Sequence, residues 1–258
     1  LAATMISGRP KINNWAFRTT HQPGLNNRKG FQPRGKTLGG SSAINAMLYV
    51  RGHPKDYDEW ADLGCTGWDW QSVLPWFKRA ERNLRGGDDL HGANGPLHVS
   101  DQSEPRAISH AFIDAAGQQQ IRRTTDFNGP RQEGAGLFQV TQFHDDARRG
   151  ERCSAAAAYL PDAVRARPNL TVLTRCQAQR VILENARAIG LEVRHRGTVQ
   201  RLSANREVIL SGGAFGSPQL LMLSGLGPRD ELAAHGIDCH HDLPGVGQNL
   251  QDHLDYVI

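Results

Sequence analysis

Apolar positions along the chain keep two different rhythms, and the change falls near Arg167-Pro168. Before it, helical spacing dominates. "HPKDYDEWADLG" opens a helix, and "DWQSVLPWFKRAERN" puts Val73, Leu74, Phe77 and Ala80 on one face, with Pro75 in its first turn. Ile108, Phe112, Ile113 and Ala116 repeat the spacing, and "SAAAAYLPDAVRA" predicts a helix capped by Ser154. Ala43, Ile44, Ala46, Met47 and Leu48 predict a short buried helix over 42–50, capped by Ser41 or Ser42. Two stretches read as strands: Leu97–Val99, and 137–142, where Leu137, Gln139 and Thr141 alternate with Phe138, Val140 and Gln142. After Pro168, strands are expected at 170–174, 178–184, 187–196, 198–203 and 207–211. A helix in "GSPQLLMLSGLG" follows, with Ser217 at its N-cap, Pro218 at its first position and Gly225 past its end. Residues 1–33 read as irregular chain, and "DHLDYVI" reads as the start of a strand. The fold class expected is α/β with α+β elements, and irregular segments longer than average.

Composition narrows the class. The 258 residues are 38% hydrophobic and 22% charged, within the globular range. No apolar run approaches the ~20 residues of a membrane span, so a soluble chain is expected. The net charge is +4, but basic residues are scattered among acidic ones, as in "RGHPKDYDEW", so no nucleic-acid partner is expected. Cys65, Cys153, Cys176 and Cys239 form no C-x-x-C pair, so neither a metal site nor a disulfide framework is indicated. Reduced thiols suit a cytoplasmic location. The start at Leu1 without Met and the close on an apolar run read as an internal piece of a longer chain, with any targeting segment upstream.

Candidate chemistry gathers at two glycine turns. "KTLGGSSAINAMLYV" and "EVILSGGAFGSPQLLMLSGLGP" each set a Gly-Gly pair before an apolar stretch with helical character. Glycine admits a ligand close to the backbone, and a helix start offers free N–H donors, so each turn could cradle an anionic or strongly polar group. Tight helix–strand packing explains the same pattern equally well. Neither turn has the G-x-G-x-x-G spacing, which disfavours a NAD-linked dinucleotide enzyme.

Longer motifs resolve the choice. "RGKTLGGSSAINAMLYVRG" (34–52) and "GAFGSPQLLMLSGLG" (213–227) resemble the two signatures of the glucose–methanol–choline (GMC) family of FAD-dependent oxidoreductases. "DFNG" (126–129), "GERCSAAAAYL" (150–160), "RPNLTVLT" (167–174) and "LPGVGQNLQDHL" (243–254) resemble intervening family landmarks in the same order. The resemblance implies a two-domain fold. The FAD-binding domain takes 1–99 and 165–258, and a substrate-domain segment takes 100–164.

The family also implies cofactor contacts. Thr37, Leu38, Gly39, Gly40, Ser41, Ser42, Asn45, Ala46, Met47 and Leu48 correspond to its FAD-facing segment, with core packing an equal reading for Met47 and Leu48. Ala178 stands where the family often has a Val beside the adenine, and Gly212, Gly213 and Ala214 match its turn near the adenosine half. Some members attach FAD through a His at the position of Ile44, so non-covalent FAD is expected here. For Asn249, Asp252 and His253 the expected use is structural hydrogen bonding. No metal is implied. The catalytic His and its partner belong beyond Ile258, and neither His110 nor His144 is assigned their role.

By this resemblance the parent protein oxidises an alcohol CH–OH to a carbonyl. A base takes the hydroxyl proton, hydride passes to FAD, and O₂, a quinone or another acceptor reoxidises the flavin. The choline- and alcohol-dehydrogenase-like branch is the nearest in pattern. Two alternatives stand beside it: a FAD-containing hydroxynitrile lyase of the same family, and a non-catalytic stretch that only contacts FAD.

Overall fold

The structure is a computed structural model and describes residues 13–252. The beginning of 1–33, His253 and the expected terminal strand lie outside the described residues. The chain divides into two compact units between Leu170 and Thr171.

In the first unit, β1 (Phe17–Arg18) pairs antiparallel with β2 (Phe31–Gln32). Helix α1 (Pro54–Asp62) starts on a reciprocal cap: His53 accepts from Lys55 N, and Asp56 accepts from His53 N. Helix α2 (Trp70–Ala80) is capped by Asp69, which accepts from Ser72 N at 3.0 Å. Pro75 sits in the second turn rather than the first, where it removes the N–H that would bond the Gln71 carbonyl; the helix nonetheless continues, with Val73 buried and Phe77 edge-on to Tyr57.

Strand β3 (Glu81–Asn83) leaves α2 and pairs in parallel with β4 (Leu97–Val99), as expected for 97–99. Helix α3 (Ala107–Gln118) buries Ile113 but leaves Ile108 and Phe112 exposed, so the apolar spacing there marks a helix but only part of a core face. The helix predicted after Ser154 is split into α4 (Ala155–Tyr159) and α5 (Asp162–Arg165) by Pro161. Phe143, Cys153 and Ala158, joined by Leu97 and Ala157, form a core cluster of this unit.

Two expectations fail here for one reason. The helix expected over 42–50 is a short 3-10 turn, Gly40–Ala43, after which the chain runs extended. The Asn45 side chain accepts from Met47 N, and Met47 takes a positive φ of 66°. A side chain bonding its own backbone competes with the helix. Residues 47–49 are then drawn into pairing with 139–141: Thr141 N donates to Met47 O at 2.8 Å, and Tyr49 N to Gln139 O at 2.9 Å. The continuous strand expected over 137–142 is reduced to isolated bridges, because Val140 serves both Leu48 and Ser100 while Gln142 turns to Arg152.

The second unit is built on an antiparallel meander of β5 (Cys176–Glu184), β6 (Arg187–His195) and β7 (Thr198–Ser203), close to the expected bounds. Its two hairpins turn on Asn185-Ala186 and Arg196-Gly197, all four at positive φ, the form whose twist matches the strands it joins. The strands expected at 170–174 and 207–211 do not form. Neither stretch finds a neighbour to pair with among the described residues, and Ile209 is 76% exposed. Helix α6 (Gly213–Leu223) begins earlier than predicted, with Gly212 at its N-cap and Ser217 and Pro218 inside it; Ser217 Oγ reaches back to accept from Gly212 N at 2.9 Å. Gly225, at φ 76°, follows its end as expected. The helix packs on β5 through Ser224, whose Oγ accepts from Val181 N and donates to Leu220 O. A short parallel pair, β8 (Leu226–Gly227) and β9 (His241–Asp242), flanks α7 (Arg229–Ala234).

Candidate functional site

The first glycine turn is shaped by a close backbone approach. A Cβ on Gly35 would collide with the Gly40 carbonyl, so the two segments can touch only with glycine at 35. Gly39 and Gly40 then turn the chain at φ of 85° and 53°, and the position of a Gly40 Cβ has no atom within 4 Å of it, so its backbone is approachable. Thr37, Leu38 and Ser41 are exposed beside it. Ser41 Oγ accepts from Gly35 N at 3.2 Å, and Ser42 Oγ donates to Gly39 O while accepting from Ala155 N.

Beyond the turn, Asn45 and Ala46 are exposed, Leu48 is 50% exposed and Met47 is half-buried. Behind Asn45 stands Arg152. Its Nη1 donates to Asn45 Oδ1 at 2.7 Å and to Ser42 O at 3.1 Å. Burial pulls its pKa down from the ordinary arginine value. Cys153 N bonds Thr141 O at 2.8 Å, so the segment carrying Arg152 is stitched to the same extended chain that carries Met47. "GERCSAAAAYL" was legible as a landmark, but nothing local in it marks Arg152, whose partners lie 107 and 110 positions away.

In the second unit, Ala178 is half-buried on β5, paired with Val193 and next to an irregularity in register. Gly212, Gly213 and Ala214 are exposed at the start of α6. Gly213, at φ 79°, has open space where a Cβ would stand. Pro218 has no N–H to give to the Ala214 carbonyl four residues back. The first-unit residues 37–48 are thus gathered around one turn, and Ala178 lies on the strand against which α6 packs.

A buried polar network supports the first unit. Glu81, fully buried, accepts from Arg51 Nη2 at 2.6 Å, Gly92 N at 2.8 Å and Asn83 Nδ2 at 3.0 Å. Asn128 of "DFNG" accepts from Arg51 N and donates to Tyr49 O, which ties the end of the first signature to that landmark. His91 Nδ1 lies 2.9 Å from Asp88 and Nε2 3.3 Å from Asp126. The bond to Asp126 and then that to Asp88 raise the His91 pKa against the opposing effect of burial, and the same His91 bond lowers that of Asp126. Of the histidines left unassigned, His110 is exposed on α3, and His144 packs against His98 with the rings tilted by 49° and has Nε2 3.0 Å from Arg82 O. Among the described residues no group of His, Cys, Asp and Glu could hold a metal ion, and no helix is long and apolar enough to cross a membrane.

The scaffold is a mixture of helices and strands carrying two glycine turns, each with one glycine, Gly40 or Gly213, that has open space where a side chain would stand. The chain belongs to the GMC oxidoreductase family, whose model matches residues 4–255. It is 48% identical over 243 residues to an oxygen-dependent choline dehydrogenase of Sinorhizobium fredii, covering 94% of this chain and 43% of that protein. It is 45% identical to an alcohol dehydrogenase [acceptor] of Pseudomonas putida, over all of this chain and 46% of that protein. Among solved structures, a FAD-dependent oxidoreductase from Chaetomium thermophilum superposes with a TM-score of 0.85 at 31% identity, covering 93% of this chain and 43% of that one. The chain therefore spans less than half the length of the relatives it matches.

Proposed function

We propose that this chain forms part of a flavoprotein that oxidises the CH–OH group of a small alcohol to a carbonyl, with FAD as the electron acceptor. The observation that carries this reading is the Gly39–Gly40 turn, open at Gly40, with Asn45 and Arg152 beside it, in a chain of the GMC oxidoreductase family. The donor set fits FAD. A dinucleotide brings an anionic pyrophosphate and a ring edge rich in acceptors, and the turn offers open glycine backbone, a carboxamide and a guanidinium.

When bound, FAD supplies a two-electron acceptor, so that the alcohol C–H gives up a hydrogen with its electron pair, the hydroxyl gives up a proton, and a C=O forms. The residues that would hold it in the first unit are Thr37, Leu38, Gly39, Gly40, Ser41, Ser42, Asn45, Ala46, Met47 and Leu48. In the second unit, Ala178, Gly212, Gly213 and Ala214 would contact its adenosine half. Ile44, which stands where some family members attach FAD through a His, has no nucleophilic atom, which supports a cofactor held without a covalent bond. The FAD-binding part is assigned to 1–99 and 165–258 and the substrate-facing part to 100–164. The named activities of the relatives favour a dehydrogenase acting on choline or a similar alcohol, with oxygen, a quinone or another acceptor taking the electrons onward.

Acid precipitation of the purified full-length protein tests the cofactor reading. All yellow flavin should pass into the supernatant as FAD. Flavin retained in the washed pellet would contradict non-covalent binding, and a colourless protein that takes up no added FAD would contradict the reading as a whole.

A further inference from the structure

Arg152 is a half-buried cation with no carboxylate within ion-pairing distance among the described residues. Both acceptors of its Nη1 are neutral, the Ser42 carbonyl and the Asn45 carboxamide oxygen. This contrasts with the buried Arg51 of the same unit, which is neutralised by Glu81 at 2.6 Å. Removing a guanidinium from water without a counter-charge is unfavourable, and a charge so placed acts strongly on any anion that comes near.

The contact also fixes the orientation of Asn45. Its Oδ1 is occupied twice, by Arg152 Nη1 at 2.7 Å and by Met47 N at 3.1 Å. Two donors on one atom identify it as the oxygen, so the NH₂ is the end that remains, and it meets no acceptor among the described residues. Asn45 is exposed, so that donor pair is presented outward from the glycine turn. Ser42 is held in the same way, with its carbonyl on Arg152 and its hydroxyl between Gly39 O and Ala155 N.

We propose that Arg152 is a positioning residue of the flavin site: it clamps Ser42 and Asn45 from behind, turns the Asn45 NH₂ outward, and supplies the unneutralised positive charge that favours the electron-rich, reduced state of the cofactor. This rests on the FAD reading above. Addition of two electrons and one proton to FAD leaves a net negative charge at neutral pH, and a cation behind the donor shifts that equilibrium toward reduction without touching substrate.

The test uses the full-length flavoprotein and three variants, R152M, R152Q and R152K. Arg152→Gln keeps an N–H donor for Ser42 O and Asn45 Oδ1 but removes the positive charge. Dye-equilibrated photoreduction should show the reduction equilibrium of R152M and R152Q at least tenfold less favourable than wild type, about 30 mV lower for a two-electron couple. R152K, which keeps a cation, should recover part of that shift. A purely structural arginine predicts a different pattern: R152Q at the wild-type potential, with R152M altered only in thermal stability or FAD content. That outcome would overturn the inference and leave the FAD reading standing. A wild-type protein that takes up no FAD would overturn both.

Discussion

His91 is a ring with a carboxylate on each nitrogen, which makes it the residue whose titration bears most directly on the stability of the first unit. Its pKa is raised above the ordinary 6.5 by the bonds to Asp126 and Asp88. A raised folded-state pKa means that the stabilisation is complete below about 6.5 and is lost as pH rises through the higher native value. Asp126, lowered from 3.8 chiefly by the same bond, contributes above its ordinary value and loses that contribution as pH falls through the depressed one. Thermal unfolding of wild type against His91→Gln should therefore show a gap that is widest at mildly acidic pH, below about 6.5, and closes toward alkaline pH. Parallel curves across that range would contradict the assignment. Little of this was legible beforehand. "DFNG" marked Asp126 as part of a landmark, but the Asp88–His91–Asp126 contact forms only when the two loops are folded together, and no spacing announces it.

Helices with clear apolar spacing were the most legible elements: α1 and α2 form within the runs beginning at His53 and Asp69, and Ser154 caps α4 as expected. The hairpins of β5–β7 were nearly as clear, because turn and alternation agree. Elements whose conformation depends on distant partners were misread: residues 42–50 are pulled out of helix by pairing with 139–141, and 207–211 has strand-like composition without a ladder. The site follows the same division. Gly39, Gly40, Gly212 and Gly213 declared themselves by local sequence, whereas Arg152 did not. The packing of α6 on the meander rests on one such distant contact, Val181 N on Ser224 Oγ at 2.7 Å. Ser224→Ala leaves that N–H buried without an acceptor, a loss of about 1–3 kcal/mol. Hydrogen exchange at the Val181 amide should accelerate accordingly, and unchanged protection would show that α6 is held by apolar contact alone.

At the scale of the whole molecule, the proposed alcohol oxidation is a property of the longer flavoprotein to which this chain would belong. The chain covers 43% and 46% of the choline and alcohol dehydrogenases compared above, so activity is tested on the full-length protein. The most direct measurement is the visible spectrum of that protein, purified with its flavin and titrated under anaerobic conditions with choline and a panel of primary alcohols. The account predicts bleaching of the oxidised flavin band by at least one alcohol, with one carbonyl product formed per flavin reduced. A flavin band that stays oxidised with every alcohol tested, yet bleaches with dithionite, would contradict it.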